Sequence, residues 1–322
     1  VANHRYTPTP GLPELRQAIV DKTKRDSNYD ITVDQVLVTN GGKQAVYQAF
    51  ATILDPGDEV ILPAPFWTTY PEAIKLAGGK SVEVFADETQ NYLVTVDQLE
   101  NARTGKTKAL LFCSPSNPTG QVQSEAELAA VINWSRQNNA IVASDECYIS
   151  FAKGAKSIFS VANGNNTNLI SVHSLSKRSN LAGYRAAFIV GDSKLIAQIR
   201  EIRKHAGMMV PLPIQRAMVV ALSDSDHVAE QRQRYNSRKA RLLPALQAAG
   251  FTIDFSDAGL YLWATRNEDC WESVSWLAQL GILATPGIFY GEKGARHIRI
   301  AMTATDQQIE DAASRILNAL QG

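Results

Sequence analysis

Residues 108–148 read KALLFCSPSNPTGQVQSEAELAAVINWSRQNNAIVASDECY. The stretch opens on an apolar run, Ala109-Leu110-Leu111-Phe112, and nears its end on another, Ala140-Ile141-Val142-Ala143. Between them, 124–137 has a helical pattern. Runs that are apolar throughout, rather than alternating, suit strands buried on both faces, as parallel strands are. Strand, helix and strand in that order make a parallel crossover unit.

The same alternation extends outward. Further strands are expected at 35–39, 59–62, 81–85, 169–173 and 186–190, and helices near 13–25, 43–54 and 67–76. The reading is an α/β fold, a mostly parallel sheet with helices on both faces. Beyond residue 190 the texture changes. Helical pattern dominates 193–249 with one break at 208–213, and its last part, 226–249, is a long charged helix stopped by Gly250. Short strands near 260–264 and 297–301, with helices around 270–280 and 307–320, read as a smaller α+β domain joined to the first by that helix. The expected division is 1–228 for the large domain and 229–322 for the small one.

Composition agrees and excludes other classes. A length of 322 residues exceeds the roughly 100–200 of one typical domain. A hydrophobic share of 45% lies far from disorder. With 32 basic and 32 acidic side chains the net charge is zero, so the basic field that nucleic acid or acidic membrane requires is missing. Cys113, Cys147 and Cys270 are widely spaced and odd in number, which suits reduced thiols rather than disulfides or zinc. No apolar run approaches the roughly 20 residues of a membrane span. The start, Val1-Ala2-Asn3-His4-Arg5, has no apolar core of a signal peptide, and a cytoplasmic setting is expected. The chain does not begin with Met and passes at once into a turn-rich stretch, Tyr6-Thr7-Pro8-Thr9-Pro10-Gly11.

In open α/β sheets ligands bind beyond the carboxyl ends of the strands. After 35–39 comes Asn40-Gly41-Gly42-Lys43, which opens a helix, and a helix N-terminus behind glycines suits phosphate. By itself it is a common tight turn, and it lacks the dinucleotide and P-loop fingerprints. After 108–112 comes Ser114-Pro115-Ser116-Asn117-Pro118-Thr119-Gly120, where two prolines bracket one amide; by itself it reads as a plain turn. After 140–144 come Asp145-Glu146-Cys147-Tyr148, an acid at the end of a buried strand that is costly unless it meets a cation. After 169–173 come Ser174-Leu175-Ser176-Lys177 and then Gly183-Tyr184-Arg185, an amine with hydroxyls and an arginine nearby. A lone lysine there would be a surface charge. The ordered set matches the needs of pyridoxal phosphate: a lysine for the imine, an acid for the pyridine nitrogen, a donor for the phenolic oxygen and an anion cradle.

The strings SPSNPTG, SDECY and SLSKRSNLAGYR resemble the class I/II aminotransferases, fold type I pyridoxal-phosphate enzymes, and the resemblance covers essentially the whole chain. It implies a covalent imine between Lys177 and the cofactor. It pairs Asp145 with the pyridinium nitrogen, and Tyr148 and Asn117 with the phenolic oxygen. It gives the phosphate to Ser174, Ser176, Arg185 and the Gly41-Gly42-Lys43 backbone. Trp67, in PAPFWTTYP, matches the aromatic that stacks on the ring, and Arg299, in RHIRIAMT, the clamp for the substrate α-carboxylate, where Asn117 also binds. Tyr6 matches a tyrosine that reaches the phosphate of a partner subunit, which implies a homodimer with shared sites. His4, His173, His205, His227 and His297 have no place in the motif and are expected in core or surface roles. The family also carries a segment ahead of the Tyr6 motif that closes over the substrate.

The first half resembles prokaryotic aspartate aminotransferases (VTNGGKQAVYQAF). The second half resembles actinobacterial succinyldiaminopimelate aminotransferases (RKHAGMMVPLPIQ, AGLYLWATR). The expected substrates are therefore an amino acid with a distal anionic group, N-succinyl-LL-2,6-diaminopimelate first and aspartate as the alternative, and a 2-oxo acid. Lys43 is the expected partner of the distal anion, with Arg178 and Lys204 as weaker candidates. A lyase on the same fold, an effector-sensing regulatory domain and a nicotinamide dehydrogenase are the other classes considered. The zero net charge and the missing glycine fingerprint count against the last two.

Overall fold

A computed structural model describes residues 4–256, 258 and 260–321. Val1–Asn3 of the stretch read for a leader, and Gly259 of AGLYLWATR, lie outside the described residues.

The chain runs α1 (Pro13–Ser27), β1 (Val36–Thr39), α2 (Gly42–Ile53), β2 (Glu59–Ala64), α3 (Thr69–Leu76), β3 (Lys80–Phe85), α4 (Val96–Ala102), β4 (Thr107–Cys113), α5 (Glu125–Asn138), β5 (Ile141–Asp145), β6 (Leu169–Ser174), α6 (Leu175–Arg178) and β7 (Ala187–Gly191). It continues through α7 (Ser193–His205), α8 (Leu212–Ser223), α9 (Asp226–Ala248), β8 (Thr252–Ile253), β9 (Tyr261–Thr265), α10 (Cys270–Gln279), β10 (Thr285–Pro286), β11 (Ile298–Ala301) and α11 (Asp306–Asn318). β1–β7 form one seven-stranded sheet in the order β1-β7-β6-β5-β4-β2-β3. Within it β7 runs antiparallel to β1 and β6, and the remaining pairings are parallel. β8–β11 form a smaller antiparallel sheet in the order β10-β11-β9-β8.

Strand alternation explains why the expected strands are apolar throughout. Val38, Ile61, Leu110, Phe112 and Val142 pack on one face with Leu15 and Ile19 of α1, Leu128 of α5 and Met218 of α8. Leu37, Leu62, Leu111, Ala143 and Val172 pack on the other with Val46 and Phe50 of α2, Ile74 of α3 and Ile199 of α7. The inner strands thus bury both faces, whereas β3 at the sheet edge keeps Lys80 and Glu83 exposed. The helix between the quoted strands, α5, starts on a capping box between Ser124 and Glu127 and stops on Asn139 in the left-handed region.

Two differences from expectation stand out. The stretch 193–249 has a second break, at Asp224–Ser225, between α8 and α9. Its cause lies far away in sequence. The buried Arg178 guanidinium donates to the carbonyls of Ala221 (2.7 Å) and Asp224 (3.1 Å) at the end of α8, and the Asp224 carboxylate accepts from the Asp226 N–H (2.7 Å) to start α9. The helix α4 and the two-residue strands β8 and β10 also lay outside the expected elements; α4 begins on a capping box between Thr95 and Gln98. The small sheet packs with Leu242 and Leu246 of α9, Leu277 of α10 and Ile309 and Ile316 of α11.

Candidate active site

Because β1, β2, β4, β5 and β6 share a direction, the segments that leave them emerge along one edge of the sheet. These segments carry Gly41, Trp67, Asn117, Asp145 to Tyr148, and Ser174 to Lys177. β7 runs the other way and therefore starts at that edge, with Thr39 of β1 and Ser174 of β6 both opposite Ala187, so Arg185 arrives there just ahead of the strand. A cavity of about 190 Å³ opens along the edge, lined by Gly42, Lys43, Trp67, Asn117, Asp145 and Lys177 among others.

Asp145 forms the floor. It is 3% exposed, and burial raises its pKa, against which hydrogen bonds from Cys147 and Tyr70 act. Its Oδ1 accepts from the Cys147 N–H (3.0 Å) and its Oδ2 from the Tyr70 hydroxyl (2.7 Å). It makes no ion pair with any described residue. Tyr70 is itself buried and meets Trp67 edge-on at 5.5 Å. Tyr70 is a site residue that the sequence reading missed. The only sign in the sequence is its position three residues beyond Trp67, one helical turn along the chain that enters α3.

One end of the cleft is suited to an anion. Gly41 caps α2 with φ +92°, and a Cβ there would collide with the Arg185 guanidinium, so only glycine lets the arginine lie against the helix start. The Ser174 side chain accepts from the Ser176 N–H (3.1 Å), which turns the chain into α6 and carries Lys177 into the cavity lining. Behind α2 the fully buried Arg203 donates to Gln44 (3.0 Å), Gln48 (2.5 Å) and the Met208 carbonyl (2.7 Å), which adds positive charge to the same helix end without a carboxylate partner. Lys177 has no hydrogen-bond or ion-pair partner among the described residues. Lys43 sits 5.5 Å from the centre of the Trp67 ring.

Beyond Asn117 and Tyr148, which line the cavity, stands the small sheet, whose Arg299 and Tyr261 contact them without lining it. Arg299 of β11 donates to Asn117 Oδ1 (2.9 Å) across 182 residues of chain. Its guanidinium lies 4.0 Å from the Tyr261 ring and 5.1 Å from the Tyr290 ring. Tyr148 reaches the same sheet, its hydroxyl 3.4 Å from that of Tyr261.

Most of the expected set therefore converges on one cleft, and the exceptions have physical reasons. Tyr6 is 93% exposed and does not line the cavity of its own chain. Arg178 is corrected, because its guanidinium ends α8 instead of facing the cleft. Lys204 is corrected too, since it pairs with Glu201 (3.1 Å) on the surface of α7. His173 is buried and stacked on Phe188 at 4.8 Å, and burial holds its pKa well below the usual value. His205 pairs with Glu201 and His227 with Asp224.

The donor set fits pyridoxal phosphate. A buried carboxylate without a cation suits a protonated ring nitrogen. Trp67 offers an aromatic face. The Gly41–Gly42 helix start with Arg185 offers N–H groups and charge to a phosphate, and a Cβ at Gly41 would fill that cradle.

The chain as a whole is similar to known proteins. A family model described as aminotransferase class I and II matches residues 1–316. A probable aminotransferase of Mycobacterium tuberculosis is 42% identical over 97% of this chain and 73% of its own length. The 4-dedimethylamino-4-oxo-anhydrotetracycline transaminase OxyQ of Streptomyces rimosus is 41% identical over 97% of this chain and 85% of its own. The structure of Thermus thermophilus aspartate aminotransferase with maleate superposes with a TM-score of 0.91 at 28% identity, over 98% of this chain and 84% of that one.

Proposed function

The chain belongs to the class I and II aminotransferases, pyridoxal-phosphate-dependent transaminases, and from that premise we propose that Lys177 is the residue that holds the cofactor covalently. The observation that supports the reading is the unpartnered Lys177 amine in one cleft with the buried Asp145 carboxylate, between the α2 start and the Asn117–Arg299 pair. Asp145 would hold the ring nitrogen, Tyr148 and Asn117 the phenolic oxygen, and Trp67 the ring face. The Gly41-Gly42-Lys43 backbone, Ser174, Ser176 and Arg185 would hold the phosphate.

When bound, the cofactor supplies an electron sink for the bond broken at the substrate α-carbon. The chain's own residues do the rest. Lys177 would take the α-proton as general base, hold it on its amine and hand it on as general acid to a different carbon, on the cofactor side, so that the amino group can leave the substrate. Asp145, buried and kept in place by Tyr70, favours positive charge beside it. Arg299 binds the substrate α-carboxylate through two parallel hydrogen bonds and turns the α-carbon toward Lys177. Lys43, exposed at the cleft and near Trp67, meets the distal anion of the substrate.

The amino donor in this proposal is N-succinyl-LL-2,6-diaminopimelate, with glutamate and 2-oxoglutarate as the second pair, an activity of lysine biosynthesis in the cytoplasm. Its support is the resemblance carried by the second half of the sequence. Aspartate is the second reading, favoured by Lys43 and by the likeness to the Thermus aspartate enzyme. A homodimer with shared sites is part of the proposal and rests on the exposed Tyr6. So is the division at 1–228 and 229–322, which falls near the start of α9. The test is a panel of amino donors with 2-oxoglutarate as acceptor. Glutamate formed in a one-to-one ratio with the 2-oxo acid of the succinylated donor supports the first reading. Faster turnover of aspartate selects the second, and release of product without glutamate would move the protein to the lyases.

A further inference from the structure

The small sheet turns one face toward Asn117, and strand alternation decides what that face carries. Trp263 of β9 stands opposite Arg299 of β11 in the antiparallel register. Tyr261 and His297 lie two residues from each on the same side. His297 stacks flat on Trp263, with ring centres 4.9 Å apart and planes within 4°. Trp263 meets Tyr290 edge-on at 5.7 Å, and the Tyr290 ring supports the Arg299 guanidinium. A continuous row of side chains therefore runs from His297 to Arg299.

The row is tied to the large sheet at its far end. Tyr92, in the loop between β3 and α4, donates its hydroxyl to Asp254 Oδ2 at 2.6 Å. His297 Nε2 lies 2.7 Å from the same oxygen and 3.2 Å from the Tyr92 hydroxyl. Tyr92 and the residue before it, Asn91, both have φ +54°, a left-handed conformation that a tyrosine adopts only when its surroundings hold it. Its ring packs edge-on against Phe255 at 5.7 Å and edge-on to His297 at 6.2 Å. Nearby, the Phe66 N–H donates to the Tyr290 carbonyl (3.1 Å), and a Cβ at Gly120 would lie 2.9 Å from the Ala258 carbonyl oxygen and 3.3 Å from the Ser256 Cα. The two sheets are thus joined at further contacts besides Asn117–Arg299.

We propose that Tyr92, Asp254 and His297 are positioning residues for Arg299: a latch between the sheets that sets where the arginine meets Asn117, and through it the affinity for the substrate α-carboxylate. Two parallel hydrogen bonds to a carboxylate tolerate little displacement of the guanidinium, so loosening the latch acts on binding before it acts on chemistry. The inference rests on the reading of Arg299 as the carboxylate ligand.

The experiment compares Tyr92→Phe, Asp254→Asn, Arg299→Lys and the double variant Tyr92→Phe/Arg299→Lys as holoenzymes. It reads kcat, KM for donor and acceptor, and the Kd of maleate, a dicarboxylate without an amino group. Tyr92→Phe removes a single oxygen and spares the ring packing. It and Asp254→Asn are expected to raise both KM values and the maleate Kd about three- to tenfold, with kcat within about twofold and the bound-cofactor absorbance unchanged. In the double variant the Tyr92→Phe effect shrinks toward nothing, because it acts through Arg299. If Arg299→Lys weakens maleate while Tyr92→Phe and Asp254→Asn do not, the latch is refuted and Arg299 stands. Fully additive effects refute it as well. If Arg299→Lys leaves maleate binding intact, the Arg299 reading falls and takes the latch with it.

Discussion

Along one edge of the seven-stranded sheet, Gly41, Asn117, Asp145 and Ser174 each stand at or just beyond the end of a strand, whereas Arg299 lies inside β11 of the four-stranded sheet, the wall beyond Asn117, and meets that residue from the side. The first group is held by strands buried on both faces, so its members keep fixed distances from one another. Arg299 keeps its place only as well as the two sheets keep theirs, through Tyr290, Trp263, His297 and Tyr92. The floor of the cleft is therefore built for chemistry and the wall for recognition. Substitutions should separate along that line, with floor changes falling on kcat and wall changes on KM.

The strongest test of the floor is Lys177→Ala. Turnover is expected to fall about a thousandfold or more, together with loss of the visible absorbance of the lysine-bound cofactor. Retention of both colour and turnover would remove Lys177 from its role. Asp145→Ala should come next, with cofactor still bound and kcat lower by about a hundredfold in single-turnover measurements. On the wall, Arg299→Lys keeps the charge and loses the planar fork. Its expected signature is a kcat/KM lower by about ten- to a hundredfold, carried mostly by KM. Tyr70→Phe sharpens the comparison, because it takes one hydrogen bond from Asp145 without touching the small sheet. A fall in kcat of about tenfold with little change in KM is expected, and the reverse split would assign Tyr70 to the wall.

The smallest effect on activity is expected at Glu146, next to Asp145 but turned into the core, where it accepts from the Ile158 N–H (2.9 Å) and the Ser144 hydroxyl (3.1 Å). Burial pushes its carboxyl from the ordinary 4.5 up to about 7. Over that interval the folded chain keeps a proton that the unfolded chain has released, so this group's stabilisation is full below about 4.5 and is lost as pH rises through about 7. Glu146→Gln should flatten the decline of the melting temperature across that window and leave kcat within about twofold. An unchanged slope would place the titration on another group.

The expected strands were legible because each is a short apolar run, and every one of the seven forms within a few residues of its expected ends. The cleft's floor was legible for the same reason, since its residues follow those runs directly in sequence. Tyr70 was not, because its partner Asp145 is 75 residues away and nothing in PFWTTYP distinguishes a core tyrosine from one that holds a carboxylate. The break between α8 and α9 was hidden too. Its cause is Arg178, a residue of α6 whose charge reads in isolation as a candidate for the substrate.

Local composition determined the order of elements, the edge where chemistry collects and the residue types found there, because burial and backbone pairing act on short stretches of chain. Tertiary structure decided which cations face the cleft and which cap helices, that Tyr6 stays exposed and outside the lining of its own chain's cavity, and that Arg299 meets Asn117. Those outcomes depend on how the two sheets pack, and that packing is set by contacts such as Tyr92 with Asp254, 162 residues apart, which no local pattern encodes.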